Sequence, residues 1–346
     1  MRIEALKIEG EKPIWLTGLN SDDVVELVHS EHFTWIDIEI SSSADGALGQ
    51  LLVERLDFHP ATVSDCLHRG SYHQPKMDEE QNYRFITFIY YDQKSTAKLT
   101  SRELHAYVSD TYVITVHQHS CKELLEQVKQ YPRVITDYEQ RAVLFLHHIL
   151  DMITDSFVPV LRSMSNRSDE MEMAILKVKR RLRMRLSLFR PAKDQISDMR
   201  NILKLRRSLV RLRRTLIAEL EIVEQLVKEY DYPGAPESSE EIAIYYRDID
   251  DHISKYLEII EGLESTMNHL MEVHSMITGH RTNEIIYILT IISTVMLPLN
   301  LIVGFFGMNF ENLWFSHASW GIWLVSAFML AITVLLLAFF RAKEWI

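Results

Sequence analysis

IIYILTIISTVMLPLNLIVGFFGMNF, residues 285–310, is the stretch on which the architecture turns. Its first 22 residues, Ile285 to Phe306, hold no charged side chain. At a rise of about 1.5 Å per residue such a run spans roughly 30 Å, the thickness of the hydrocarbon layer of a bilayer. Trp320 to Phe340 supplies a second uncharged run of 21 residues. Helices in the core of a soluble protein seldom extend so far without a charge, so both runs read as transmembrane helices. Pro298 predicts a kink in the turn before it, since proline removes one helical hydrogen bond and crowds the preceding carbonyl.

The flanks orient these spans. Arg281 precedes the first, Arg341 and Lys343 follow the second, and the connection Gly307 to Ser319 has neither Lys nor Arg. The positive-inside bias therefore predicts both termini cytoplasmic and a short external loop, and the expected location is the plasma (inner) membrane as a multi-pass protein. Trp314, Trp320, Trp323 and Trp345 suit the interfacial aromatic belts in contact with lipid.

Two helices cannot enclose an aqueous path, so a pore built from this chain requires several copies. In the first span Asn283, Ile286, Thr290, Ser293, Leu297, Asn300 and Gly304 recur at three- or four-residue spacing, one stripe of mixed polar and apolar character. Asn300 is costly against lipid and should face a partner helix or water. The alternative is that the stripe only packs two helices together.

The rest of the chain is soluble in character. Residues 1–120 mix strand and helix patterns and read as a cytoplasmic α/β domain, with Thr34 to Ile38 and Tyr83 to Tyr91 as strands. Leu104 to Val108 and Tyr112 to Val116 read as a hairpin around Ser109-Asp110. Residues 121–237 read as an amphipathic helical region closed by the breaker Asp231-Tyr232-Pro233-Gly234-Ala235-Pro236. A stalk helix, 238–284, starts at Ser238 with Glu241 as a capping box, and no proline interrupts it before Pro298. It runs directly into the first transmembrane helix, 285–306. The loop 307–319, the second transmembrane helix 320–340 and a short cytoplasmic tail 341–346 complete the chain.

Composition narrows the function classes. Cys66 and Cys121 form no CxxC pattern and no disulfide framework. The N-terminal MRIEALKIEGEK has no apolar run of the signal-peptide kind. No G-x-x-x-x-G-K segment suggests a nucleotide, and no nucleophile–base or paired-carboxylate pattern suggests an enzyme. The net charge is −11, yet Lys177 to Arg214 carries fifteen Lys/Arg against only Asp194 and Asp198. Such a run can contact anionic lipid or RNA. The interleaved Leu182, Leu186, Leu203, Leu205, Leu209 and Leu212 point instead to a helix packed on protein, with no nucleic-acid partner. The acidic remainder attracts cations through its summed field.

Several stretches together resemble the CorA family of two-transmembrane magnesium transporters. The most specific are Thr290 to Leu299 (TIISTVMLPL) and Gly304 to Phe310 (GFFGMNF), whose Gly307-Met308-Asn309 matches the family's Gly-Met-Asn signature after the first span. Phe58 to Asp65 is similar to the family's HPxxxED stretch and Gln74-Pro75-Lys76-Met77 to its RPK segment. Tyr246 to His252 and Thr282-Asn283-Glu284 are similar to stretches of its long helix. The resemblance implies a funnel-shaped homopentamer of α+β subunits that passes divalent cations, Mg²⁺ first and Co²⁺ or Ni²⁺ beside it. Gly307, Met308 and Asn309 would form the outer selectivity ring, Asn283 and Asn300 would line the pore, and Glu272 would form an acidic ring inside it. Asp65 and Asp248 would hold a regulatory Mg²⁺ between subunits, with Ser64 standing where the family has a second acid. Mg²⁺ sheds water reluctantly, so a mouth of amide and carbonyl oxygens suits the hydrated ion. Inward flow needs no nucleotide, because a divalent cation gains about 4.6 kcal/mol per 100 mV of inside-negative potential.

Two departures bear on cargo. The residues after Asn309 are Phe310-Glu311-Asn312-Leu313-Trp314, without the family's MPEL segment, and the basic tail is reduced to Arg341-Ala342-Lys343-Glu344-Trp345. The family also includes ZntB-like zinc transporters, some of them proton-coupled, and His269, His274 and His280 beside Glu272 would suit a softer metal. His117-Gln118-His119 with Cys121 is metal-like in composition but reads as a surface segment after a strand.

Overall fold

A computed structural model describes residues 1–10, 12–40, 45–67, 74–91, 101–118, 141–182, 192–308 and 320–343. The first part of the chain builds a seven-stranded mixed sheet from β1 (Arg2–Glu9), β2 (Lys12–Thr17), β3 (Thr34–Glu39), β4 (Lys76–Glu79), β5 (Arg84–Tyr91), β6 (Ser101–Val108) and β7 (Tyr112–His117). Their spatial order is β2-β1-β3-β7-β6-β5-β4, with only β3 and β7 parallel. The expected hairpin pairs β6 with β7, Val108 opposite Val113. The β1–β2 hairpin was not expected, because charges break the apolar alternation of the N-terminus.

Helices cover both faces. α1 (Ser21–Val28), whose first turn is closed by a reciprocal Asn20–Asp23 capping box, lies on one face with α2 (Asp45–Gly49), a π-helical turn (Gln50–Arg55) and α3 (Pro60–Leu67). Val24, Leu52, Phe58 and Val63 join Ile36, Ile38, Ile114 and Val116 in one core. The opposite face meets α4 (Arg141–Asp155) and α5 (Phe157–Leu182): Phe145 packs on Trp35 at 5.1 Å between ring centres, and Phe157 on Tyr91 at 5.3 Å. Strands covered on both faces lose the polar alternation of an exposed sheet.

α6 (Ala192–Tyr230) and α7 (Glu237–Phe306) follow. The turn between them needs Gly234, whose φ of 90° is the left-handed region that favours glycine. α7 begins one residue before the expected Ser238, with the Pro236 carbonyl accepting from Ser239 and Glu240. It runs unbroken for 70 residues and continues through Pro298. Tyr230 stacks on Tyr246, Arg247 pairs with Asp231, and Arg213 reaches Glu264 at 3.0 Å, so α6 and the first half of α7 are antiparallel neighbours. α8 (Gly321–Ala342) is the last helix.

The chain divides into two compact units: Met1–Lys177 with Ser187–His269, and Val178–Leu186 with Leu270–Ile346. Among the described residues three helical segments are long and apolar enough to cross a membrane. The one within Arg141–Ile175 has most of its apolar window buried against protein, whereas the apolar windows at the end of α7 and in α8 contain no buried residue. Only the latter two present an apolar surface that lipid or other copies must cover.

Candidate functional site

The expected stripe lies on one helix. Glu272, Asn283, Ile286, Thr290, Ser293, Leu297, Asn300 and Gly304 all belong to α7, and every one is exposed in the single chain. At about 100° per residue they fall within an arc of roughly 100°. The Thr290 hydroxyl donates to the Ile286 carbonyl at 2.7 Å, which leaves its oxygen lone pairs able to accept. Gly304 has open space where a Cβ would stand.

Gly307 is glycine for a different reason. Its N–H donates to the Val303 carbonyl at 2.9 Å, and a Cβ would sit 3.1 Å from that same oxygen. Its φ is outside the left-handed region, so the close approach to the end of the helix, and not backbone strain, is what a side chain would meet there. Met308 is exposed, its N–H directed at the Phe305 carbonyl. Asn309, the loop 310–319 with Trp314, and Trp345 in the tail lie outside the described residues.

The two regulatory candidates have unlike surroundings. Asp65, on α3, is partly buried and held by Lys76 Nζ at 2.8 Å; the same ammonium contacts Asp78 at 2.6 Å. The lysine of the RPK-like segment therefore neutralises this carboxylate, a pairing the sequence did not reveal. Asp248 is exposed on α7. It acts electrostatically on Asp151 and on His147, both from α4. Burial, then Asp155 and Asp248, push the Asp151 carboxyl above its ordinary value, with His252 opposing. Burial lowers the His147 imidazole, opposed by its hydrogen bond with the Tyr245 backbone and by Asp248.

Asp151 and Asp155 were missed in the sequence, although they are the only acids in α4 and stand at i,i+4. Burial and the neighbouring charges of Asp155 and Asp248 raise the Asp151 carboxyl, and a hydrated divalent cation would relieve that repulsion. Among the described residues no group of three or more His, Cys, Asp or Glu could hold a metal ion. Within one chain this surface thus offers isolated carboxylates for outer-sphere contact.

The surface reading of His117 is corrected. The imidazole is 1% exposed, with Nε2 3.2 Å from Asp37 Oδ2. Thr115 donates to Asp37 Oδ1 at 2.6 Å and accepts from Trp35 Nε1 at 3.0 Å. β7 is a central strand covered on both faces, so none of its side chains is at the surface. His119 and Cys121 lie outside the described residues. Cys66 is a free buried thiol, pushed up to about 12 by burial.

The profile of CorA-like Mg²⁺ transporter proteins matches residues 30–342. The chain belongs to the CorA family. CorA-family proteins are membrane transporters and not enzymes, in keeping with two uncovered apolar helices and a polar arc on the first. The chain is 27% identical over 317 residues to the cobalt/magnesium transport protein CorA of Thermotoga maritima, covering 90% of this chain and 83% of the relative. The solved CorA magnesium transporter of Methanocaldococcus jannaschii superposes with a TM-score of 0.75 at 19% identity, over 99% of this chain and 98% of that one. The cytoplasmic domain of ZntB from Vibrio parahaemolyticus superposes with a TM-score of 0.57 at 12% identity, over 82% and 98%. At such identities both superpositions establish a shared fold, an α/β domain with a long helix, and leave the cargo to be argued from residues.

Proposed function

We propose that the chain assembles as a homopentamer in the plasma (inner) membrane, both termini cytoplasmic, and passes Mg²⁺ inward down its electrochemical gradient. The observation that carries this is the arc on α7: eight residues from Glu272 to Gly304, uncovered in one chain, on a helix continuous with the α/β unit. Asn283, Thr290, Ser293 and Asn300 offer oxygen ligands without fixed charge, while Ile286 and Leu297 narrow the path. That composition suits an ion which keeps its water and must leave again. Gly307, Met308 and Asn309 form the outer ring in this reading, and Co²⁺ and Ni²⁺ are the further cargo candidates. Residues 1–120, 121–237 and 238–284 form the cytoplasmic part, and the tail from residue 341 returns to it.

Asp65 and Asp248 hold a regulatory Mg²⁺ between neighbouring copies, and Asp151 joins Asp248 on its face. Bound cation neutralises the facing carboxylates and favours the closed ring; removal leaves them repelling. Lys76 competes with the ion for Asp65.

Reconstituted in liposomes under an inside-negative potential, the protein is expected to carry Mg²⁺ inward without ATP. Absence of flux for every divalent cation would overturn the reading. The ZntB likeness motivates one further arm. Zn²⁺ uptake that depends on a pH gradient, with Mg²⁺ neither carried nor competing, would assign the chain to zinc.

A further inference from the structure

Two charged ridges of opposite sign stand on the compact unit that contains Ser187–His269, and neither is neutralised within one chain. On α6, Arg200, Lys204, Arg207, Arg211 and Arg214 succeed one another at spacings of four and three, all of them exposed. Leu203, Val210 and Ile217, also exposed and seven residues apart, run along their edge. On α7, Glu240, Asp251, Glu258 and Glu261 are exposed, with Lys255 among them and the exposed Ile244 and Ile259 alongside. None of these charged groups forms an ion pair among the described residues, whereas Arg213, turned toward α7, holds Glu264 at 3.0 Å. At about 100° per residue the five cations fall within roughly 80° of arc, opposite the buried Leu205, Leu209 and Leu216. Glu240, Ile244, Asp251 and Glu258 fall within roughly 40°, opposite the buried Ile249, Ile253 and Ile260. Each ridge therefore lies on the side of its helix away from the core of its own chain.

We propose that the α6 ridge of one copy docks on the α7 ridge of a neighbouring copy. Charge complementarity names the occupant, since the chain itself carries an exposed acidic ridge that matches the basic one in sign and in length. Leu203 to Ile217 spans about 21 Å along α6, and Ile244 to Ile259 spans about 22 Å along α7, so both ends of an apolar seam meet at once. The seven-residue spacing of Leu203, Val210 and Ile217 keeps such a seam facing a second helix along its length. Burial of the seam holds the contact, while the flanking charges choose the partner and the register. Asp248 stands at the edge of the α7 ridge, about 60° from Asp251, which leaves it to the regulatory ion. A contact between two different patches of one unit is heterologous, the kind that closes copies into rings.

This inference rests on the reading of the chain as a ring of copies, and the test separates the two. The full chain in detergent, in a Cys121→Ser background, carries Leu203→Cys with Ile259→Cys for antiparallel docking, or with Ile244→Cys for parallel docking. Arg213 lies beside Glu264 on antiparallel helices, so Leu203 is about 22 Å along the helices from Ile259 of its own chain and farther from Ile244. A disulfide must therefore join two copies. Oxidation is expected to give, with one of the two pairs, a ladder of linked chains that extends beyond the dimer. Arg207→Glu/Arg211→Glu should cut the linked fraction roughly tenfold, and Asp251→Arg/Glu258→Arg likewise, because each sets like charges face to face. The four substitutions together should restore it, which a loss of folding could not do. A multimer by native mass in which neither pair links overturns this surface alone, as do dimers with nothing larger or a fourfold variant no better than either double. Normal linking in the α6 variant, with lost binding of inorganic polyphosphate, would assign the ridge to polyanions and also overturn the proposal. Parent chains that run as monomers by native mass overturn the ring reading itself.

Discussion

Glu219 offers the most direct test of the packing between α6 and the sheet. β4 ends opposite Thr87, so the N–H of Ile89 and of Tyr91 pass the end of their strand partner. Glu219 accepts the first at 3.3 Å and Ser156 the second at 3.3 Å. The Glu219 side chain is 2% exposed, and burial raises its pKa well above the ordinary 4.5, with the Ile89 hydrogen bond opposing. A raised carboxyl contributes stability that is full below the unfolded pKa and lost as pH rises toward the folded one. In that window the unfolded chain is ionised and the folded chain holds a proton, at about 1.4 kcal/mol per pH unit. Glu219→Gln keeps an acceptor for Ile89 and cannot ionise. Its stability relative to the parent should therefore rise with pH above 4.5, at about 1.4 kcal/mol per pH unit, until the folded carboxyl ionises. At roughly 2–4 °C per kcal/mol, the melting-temperature difference should open by about 3–6 °C per pH unit in that window. Glu219→Ala should follow a parallel line displaced downward by about 1–3 kcal/mol for the unsatisfied N–H, plus a cavity cost. Thermal unfolding of the full chain in detergent, followed by circular dichroism across pH, reads both lines. A difference independent of pH would refute the reasoning, because it would mean Glu219 is already ionised when folded.

Three further outcomes follow from the candidate site. Lys76→Gln removes the ammonium 2.8 Å from Asp65, and flux inhibition by internal Mg²⁺ should then set in at several-fold lower concentration; unchanged sensitivity would remove Asp65 from the regulatory set. Because the Asp151 carboxyl is raised, it takes up a proton at higher pH than an ordinary carboxylate, so acidification should weaken Mg²⁺ inhibition. Asp151→Asn should flatten that dependence in a flux assay across internal pH. Gly307→Ala places a Cβ 3.1 Å from the Val303 carbonyl, so the end of α7 must shift by a few tenths of an ångström and flux should fall; unchanged flux would remove this turn from the proposed outer ring. Gly304→Ala meets open space within one chain, so reduced flux with unchanged stability would locate a close neighbour in another copy.

The parts legible in the sequence are those a single element determines. Two uncharged runs, the Tyr112 to His117 strand and the breaker before Glu237 follow from spacing and turn chemistry, and the α7 arc needs only the helical period to be drawn. Lys76 beside Asp65 joins β4 to α3, Asp248 beside Asp151 joins α7 to α4, and neither approach leaves a local pattern. His117 shows how a local pattern misleads. A His-x-His-x-Cys spacing suggests a metal or a surface, while the two strands beside β7 and the helices over its faces make the residue a partner for Asp37. The same distinction separates the two halves of the function. In the proposed assembly a pore lining can be read from one helix, because repetition of that helix would supply the rest of the ring. A regulatory site must bring carboxylates from several elements together, and the Lys76–Asp65 pair adds a competing cation. In the proposed function the ion path is thus a property of α7 repeated, whereas the ion's control would depend on how tightly Lys76 holds Asp65. Exchanging Lys76 should therefore move the inhibitory concentration while leaving the cargo unchanged.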